Sequence, residues 1–266
     1  MIDGYRLEQV IGEGAAGVVY AARSTTGRRV AVKVLRPERT LDAVARARFL
    51  REARVAAAIR SRHVVPILDV GETAESAYLV MPFYEQGSLA RAGPLDLAQT
   101  VELAGQIARG LDALHEHGVL HRDVKPSNVL LDRDGTAALS DFGLALIADS
   151  TRFTDTGVLL GTPHYLAPEL IAGGEATTRS DIYAFGCVLF ECITGRPPFA
   201  DAGRPAEVGF AHLTLDVPDP RERRPDLPEG VSPALLSALA KNPAERPTTA
   251  TALARMLHLA NRPALA

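Results

Sequence analysis

Between His121 and Asn128 the chain reads His-Arg-Asp-Val-Lys-Pro-Ser-Asn, which gathers a carboxylate, an ammonium and an amide in one short segment. Transfer of a phosphoryl group demands those types: Asp123 to accept a hydroxyl proton, Lys125 to offset charge on the moving group and Asn128 to hold Mg²⁺. So polar a segment also fits a solvated turn, but the apolar run Val129 to Leu131 makes it the approach to a buried strand. Thirteen residues past Asn128, Asp141-Phe142-Gly143 offers a second oxygen ligand. Magnesium prefers carboxylate and carbonyl oxygens completed by phosphates and water, so two protein ligands suffice.

Upstream, Gly12-Glu-Gly14-Ala-Ala-Gly17-Val18 lies between two strand-like runs. Glycines there let the backbone turn sharply and bring N–H groups close to phosphates, although the spacing alone fits a hairpin turn as well. A dinucleotide-binding fold would start a helix directly after them, whereas Val18, Val19 and Tyr20 continue as a strand. Ala31-Val32-Lys33 places the only lysine of this region on another strand. Of 29 basic residues just Lys33, Lys125 and Lys241 are lysines, which suggests sites that need a compact ammonium. Ala45, Phe49, Glu52, Ala56 and Ile59 follow helical spacing, so Glu52 sits on an otherwise apolar face. A carboxylate there needs a cation, and Lys33 is the expected partner.

The elements that would position these groups fall into two parts. Strands are expected over Tyr5 to Ile11, Val18 to Ala22 and Arg29 to Leu35, a helix over Asp42 to Arg60, and further strands over Val64 to Val70 and Ala77 to Met81. Leu97, Val101, Ala104, Ala108 and Leu111 then mark one stripe of a helix. The expectation is an α+β chain with a strand-rich part over 1–81 and a mainly helical part over 82–266. Met81, Pro82 and Tyr84 would form the connection, with the Pro82 carbonyl available to an adenine amine. Net charge is -3 with no global basic excess, which argues against nucleic acid. The longest apolar run, Ile182 to Phe190, is nine residues long and ended by Glu191, so it reads as a core helix rather than a membrane span. Cys187 and Cys192 form no CxxC pair and read as buried thiols of a reducing cytoplasm.

In order and spacing these segments, with Gly161-Thr162-Pro-His-Tyr-Leu-Ala167-Pro168-Glu169 and Arg246, resemble the Hanks-type eukaryotic-like protein kinases from about Tyr5 to Leu259. The resemblance implies a bilobal fold: a small antiparallel sheet lobe with one main helix, and a larger helical lobe. It implies that Gly12, Gly14, Gly17, Val18 and Ala31 enclose ATP with Met81, Pro82 and Tyr84. Lys33 would contact the α and β phosphates while paired with Glu52, Asp123 would be the base, and Asn128 and Asp141 would bind Mg²⁺, with Mn²⁺ as an alternative. Glu169 would pair with Arg246, and Asp181 would anchor the catalytic loop. Lys125 follows the serine/threonine rather than the tyrosine pattern. Arginine-for-lysine usage and Asn242-Pro-Ala-Glu-Arg246-Pro resemble the bacterial branch, particularly that of GC-rich actinobacteria.

The segment Asp141 to Glu169 carries Ser150, Thr151, Thr154 and Thr156, and by position Thr154 and Thr156 resemble autophosphorylated threonines. Arg122, with Arg48 as a second cation, would hold such a phosphate. Leu146 stands where many relatives have another cation, so a weaker clamp and appreciable basal activity are expected. Two further departures are a short stretch from Gly87 to Gly93 and Tyr183 in place of a common tryptophan. Protein substrates bearing Ser or Thr are implied, with self-association for autophosphorylation in trans, no membrane contact by this segment and a cytoplasmic location, as a free domain or as the inner part of a receptor. A pseudokinase scaffold would have lost Lys33, Asp123, Asn128 or Asp141, and all four are present. A small-molecule phosphotransferase is the other alternative; Lys125 and the Gly161 to Glu169 segment argue against it.

Overall fold

The computed structural model describes residues 2–14, 17–36, 43–73, 76–93, 95–142 and 163–261, and for 43–45 and 48 the backbone alone. Five strands form one antiparallel sheet: β1 (Tyr5–Gly14), β2 (Gly17–Ser24), β3 (Arg29–Leu35), β4 (Asp69–Glu72) and β5 (Ala77–Pro82), in the order β1-β2-β3-β5-β4. Side chains alternate across such strands, and the β-branched runs exploit it. Val30, Val32, Tyr78 and Val80 fill one face with Ile2 and Ala22. The opposite face carries Ala31 and Met81, which pack on Val65 and Ala138. The helix α1 (Ala43–Ala57) lays Phe49 and Ala53 against Leu35, Ala77 and Leu79.

The run expected as a strand from Val64 to Val70 pairs as one only from Asp69 onward. Pro66 has no N–H to give a ladder. Val65 N instead donates to Leu139 O (2.9 Å) and Leu139 N to His63 O (2.9 Å), so this stretch clips the sheet region to the helical one.

The helical part begins with α2 (Leu97–Glu116), whose first turn is closed by a reciprocal cap. Gln99 N donates to Asp96 Oδ1 (2.7 Å) and Asp96 N to Gln99 Oε1 (3.0 Å). The stripe read from sequence is its buried face, widened by Leu103, Ile107 and Leu114. A short hairpin, β6 (Val129–Leu131) and β7 (Ala137–Leu139), crosses below the sheet. The short α3 (Pro168–Ile171) precedes α4 (Thr178–Thr194), which Thr177 caps and which Gly195 ends in the left-handed region at φ 80. Nearly every side chain from Ser180 to Ile193 is buried, as a core helix requires. Among the described residues no helix is long and apolar enough to cross a membrane. Both cysteines are buried, and burial pushes the Cys192 thiol up to about 12. Four helices complete the lobe: α5 (Pro205–Thr214), α6 (Pro220–Arg223), α7 (Val231–Ala238) and α8 (Ala250–Ala260). Gly186 lets α7 close on α4, since a Cβ there would lie 2.9 Å from that of Ala238.

Candidate active site

A cleft of about 1060 Å³ runs between the sheet and the helical lobe. Its roof carries Gly12, Gly14, Gly17, Val19, Ala31 and Met81, and Leu130 of β6 faces them from below. The three glycines differ in what they require. A Cβ at Gly17 would lie 2.2 Å from Val34 O, so this glycine permits the close approach of β2 to β3. Among the described residues nothing lies within 4 Å of a Cβ placed at Gly14, which leaves that side of the backbone open to a ligand. The valine that meets the cleft is Val19, not Val18. Val18 pairs with Val34 and points with it away from the cleft, while Val19 lies opposite Lys33. Period-two alternation fixes that outcome, and applied from Ala31 and Lys33 it is the signal that finds Val19. Leu130, the middle of the Val129 to Leu131 run, was legible by the same alternation.

The connection between lobes continues β5. Pro82 and Tyr84 line the cleft, and burial pushes the Tyr84 hydroxyl up to about 12. Arg29 stacks on Phe83 at 3.8 Å, and Leu131 N donates to Gly87 O at 2.9 Å. The stretch from Gly87 to Gly93 holds one 3-10 turn, Leu89–Arg91.

Lys33 is buried, and its Nζ lies 2.7 Å from Asp141 Oδ1. The expected Lys33–Glu52 pair is therefore replaced by a Lys33–Asp141 pair. A cavity of about 240 Å³, lined by Glu52, Ala56, Leu79, Met81, Asp141 and Phe142, lies between α1 and Asp141. Asp141 (φ 61) and Arg122 (φ 66) both adopt left-handed backbone, a strain that non-glycine residues accept only where surroundings impose it.

For Arg122 the imposing group is Asp181. Its carboxylate accepts from His121 N (2.8 Å), Arg122 N (2.7 Å) and His115 Nε2 (2.8 Å), so a buried helix residue fixes the loop's backbone. Burial lowers the pKa of His121 despite three nearby carboxylates, and its neutral Nδ1 accepts from Asp123 N. Asn128 Nδ2 donates to Asp123 O (2.7 Å) and Oδ2 (3.0 Å), and Lys125 Nζ sits 2.8 Å from Asp123 Oδ2. With Nδ2 so engaged, the Asn128 amide oxygen is the atom left for a cation. Ser140 N donates to Asn128 O at 2.8 Å, which brings Asp141 beside it.

This donor set fits Mg²⁺: one carboxylate and one amide oxygen, with no Cys or His lining the cleft among the described residues.

Farther down, Arg246 meets Glu169 with two parallel hydrogen bonds (2.7 and 2.8 Å), the pairing the resemblance implied. Tyr183 stacks beneath Arg246 at 4.8 Å and shares a 2.7 Å hydrogen bond with His212 Nδ1. Gly143, Leu146, Ser150, Thr151, Thr154, Thr156, Gly161, Thr162 and the Arg48 side chain lie outside the described residues.

A bilobal fold whose cleft carries these groups is that of a protein kinase, and the protein kinase domain family model matches residues 5–257. The chain belongs to that family. Its relatives include the serine/threonine-protein kinase PknH of Mycobacterium tuberculosis, 40% identical over 263 residues, covering 97% of this chain and 42% of that protein. The DNA damage-responsive serine/threonine-protein kinase RqkA of Deinococcus radiodurans is 41% identical over 267 residues, 97% of this chain and 40% of that protein. The chain thus spans about two-fifths of the length of these curated relatives. The crystal structure of the Mycobacterium tuberculosis PknI kinase domain matches with a TM-score of 0.74 at 28% identity, over 97% of this chain and 96% of that one.

Proposed function

We propose that this chain transfers the γ-phosphoryl group of Mg-ATP to serine and threonine hydroxyls of proteins, including threonines of its own activation loop. The observation that carries the reading is the Asp123 carboxylate, held at the cleft floor with Lys125 Nζ at 2.8 Å and Asn128 Nδ2 at 3.0 Å. Asp123 orients a substrate hydroxyl and accepts its proton; Lys125 offsets the charge of the group in transit. The slot between Val19, Ala31 and Leu130 takes the adenine, and Pro82, which also lines the cleft, would offer its carbonyl to the adenine amine. Mg²⁺, when bound by Asn128 and Asp141, would neutralise charge on the phosphate oxygens. Lys33 then holds the nonreacting phosphates, and its pairing passes from Asp141 to Glu52 as α1 closes over the cavity beside it.

Lys33→Arg is expected to lower turnover by about 10²-fold, because a larger forked cation misplaces the phosphates. Steady-state rates on a protein substrate check this, and near-normal turnover would remove the role.

Autophosphorylation supplies the direct test of the reading. Protein made in active form should carry phosphate on Thr154 or Thr156, where Arg122 and Arg48 would hold it, and Asp123→Asn protein should carry none. Mapped phosphate elsewhere, or an unchanged rate on a protein substrate when both threonines become alanine, would overturn the role of these threonines in setting activity. This reading places the domain in the cytoplasm, free or as the inner part of a receptor. It takes a second copy as the partner for transfer in trans.

A further inference from the structure

Three arginines stand in one row across the sheet lobe. Arg6 of β1 lies directly opposite Arg23 of β2, and Arg23 directly opposite Arg29 of β3. Side chains of directly opposed residues share one face, and like charges so placed repel one another. One carboxylate offsets the row: Glu8 Oε1 accepts from Arg6 Nη2 (3.3 Å) and from Arg23 Nε (3.0 Å). Arg29 forms no ion pair among the described residues and rests instead on the Phe83 ring at 3.8 Å, in the connection between the lobes. Glu85, which feels the Arg29 charge, is occupied by Arg133 at 2.7 Å. Three guanidiniums against one carboxylate leave an excess of two positive charges, and nothing in the chemistry above uses it.

The row ends at the turn Ser24-Thr25-Thr26-Gly27, which leads from β2 toward β3. Ser24 O accepts from Gly27 N (2.9 Å), and Gly27 takes the left-handed conformation, at φ 80, that closes such a turn. Thr26 is exposed, and its Oγ1 lies 2.9 Å from Ser24 Oγ. The Arg23 guanidinium already reaches this point, since its Nη1 donates to Gly27 O at 3.3 Å. A hydroxyl on an exposed turn is open to a second molecule. A phosphate placed on it would bring nearly two negative charges, which matches the excess of the row.

We propose that Thr26 is a phosphorylation site and that the arginine row receives its phosphate. The proposal rests on the kinase reading above and extends it to a site outside the activation loop. Thr26 Oγ1 attacks the γ-phosphorus of ATP and gives its proton to Asp123, while the bond from that phosphorus to the bridging oxygen breaks and leaves ADP with the electron pair. This Asp123 belongs to a second copy of the chain. β2 is eight residues long, so the turn lies roughly 23 Å from Gly17, which roofs the cleft at the other end of the strand. Once in place, the phosphate competes with Phe83 for Arg29, and the connection beside Pro82 and Tyr84 loses a brace.

The test starts from the 266-residue chain, freed of phosphate by a phosphatase and then incubated with Mg-ATP. Mass spectrometry should find phosphate on Thr26, none there in Asp123→Asn protein incubated alone, and phosphate on Thr26 of that protein once active chain is added. Phosphorus NMR then reads whether the arginines hold the group, through the signal that Thr26→Ala protein lacks. A phosphothreonine loses its second proton at about pH 6, and in the folded chain this step should lie about one unit lower than in the same chain unfolded in urea. Phosphorylated chain should show an ATP KM about threefold above that of Thr26→Ala protein treated in the same way, the worth of one exposed cation–ring contact. Arg29→Gln, kept free of phosphate, should show the same rise over the phosphate-free unaltered chain. Thr26 left unmodified while protein substrates are labelled would overturn the site and leave the kinase reading intact. A titration unchanged by unfolding would overturn the role of the arginine row, and an ATP KM indifferent to the phosphate would overturn the link to Phe83. Failure to phosphorylate any protein would overturn this site and the kinase reading together.

Discussion

Asp123→Asn is expected to cut phosphoryl transfer by about 10²- to 10⁴-fold, the range one positioned acid–base group supplies. The replacement is nearly isosteric, and its amide oxygen can still accept from Asn128 Nδ2, which donates to Asp123 Oδ2 at 3.0 Å. It can neither take a hydroxyl proton nor balance Lys125, whose Nζ lies 2.8 Å away. Nucleotide affinity rests on other contacts, namely the roof glycines, the slot between Ala31 and Leu130, and Lys33. A base acts mainly in the transition state, so ATP should bind within a few fold of the unaltered protein. Single-turnover rates beside direct nucleotide titration separate the two quantities, and parallel loss of both would contradict the assignment.

Arg246→Ala should have the largest effect on stability. Arg246 is 2% exposed; its guanidinium bonds Glu169 twice and the carbonyls of Ala240, Arg179 and Lys241, and lies over the face of Tyr183. Truncation leaves a half-buried carboxylate without its cation and removes three further hydrogen bonds to carbonyls, which costs about 3–5 kcal/mol. For a domain of this size that lowers Tm by on the order of 10 °C. The effect depends on pH with a defined sign. Burial alone would raise the Glu169 pKa, but the hydrogen bonds from Arg246 and Ser180 outweigh it and hold the carboxyl below its ordinary 4.5. A depressed folded value means that the contribution is complete above about 4.5 and disappears as pH falls through the lower folded value. Melting curves of the two proteins should therefore be far apart near neutrality and converge in acid. A constant gap across that range would show that the pair's charge is not what stabilises the lobe.

Much of this was legible in the sequence, and what was not has identifiable causes. Asp123, Lys125 and Asn128 share one loop, so their spacing alone brought them together. Asp141 was legible because β6 and β7 are adjacent strands that must return the chain to the same place. Val19 rather than Val18 meets the cleft because the face of β2 follows from its register with β3, in which Val19 lies opposite Lys33, and that register is not written in β2 alone. Lys33 and Glu52 lie on two separate elements, and sequence carries no information on how closely α1 packs toward Lys33, which pairs with Asp141 instead. The resemblance named Asp181, but its three donors come from α2 and the catalytic loop, a convergence that no local pattern encodes.

The central claim is tested most directly by following the labelled γ-phosphoryl group itself. The chain is incubated with Mg-ATP labelled at that position and a panel of proteins, and the product sites are mapped by mass spectrometry. The account predicts label bound covalently to serine and threonine hydroxyls, on substrates and on the chain's own activation loop, and none with Asp123→Asn. Label found only as free phosphate, on a small molecule, or on residues other than serine and threonine would contradict it.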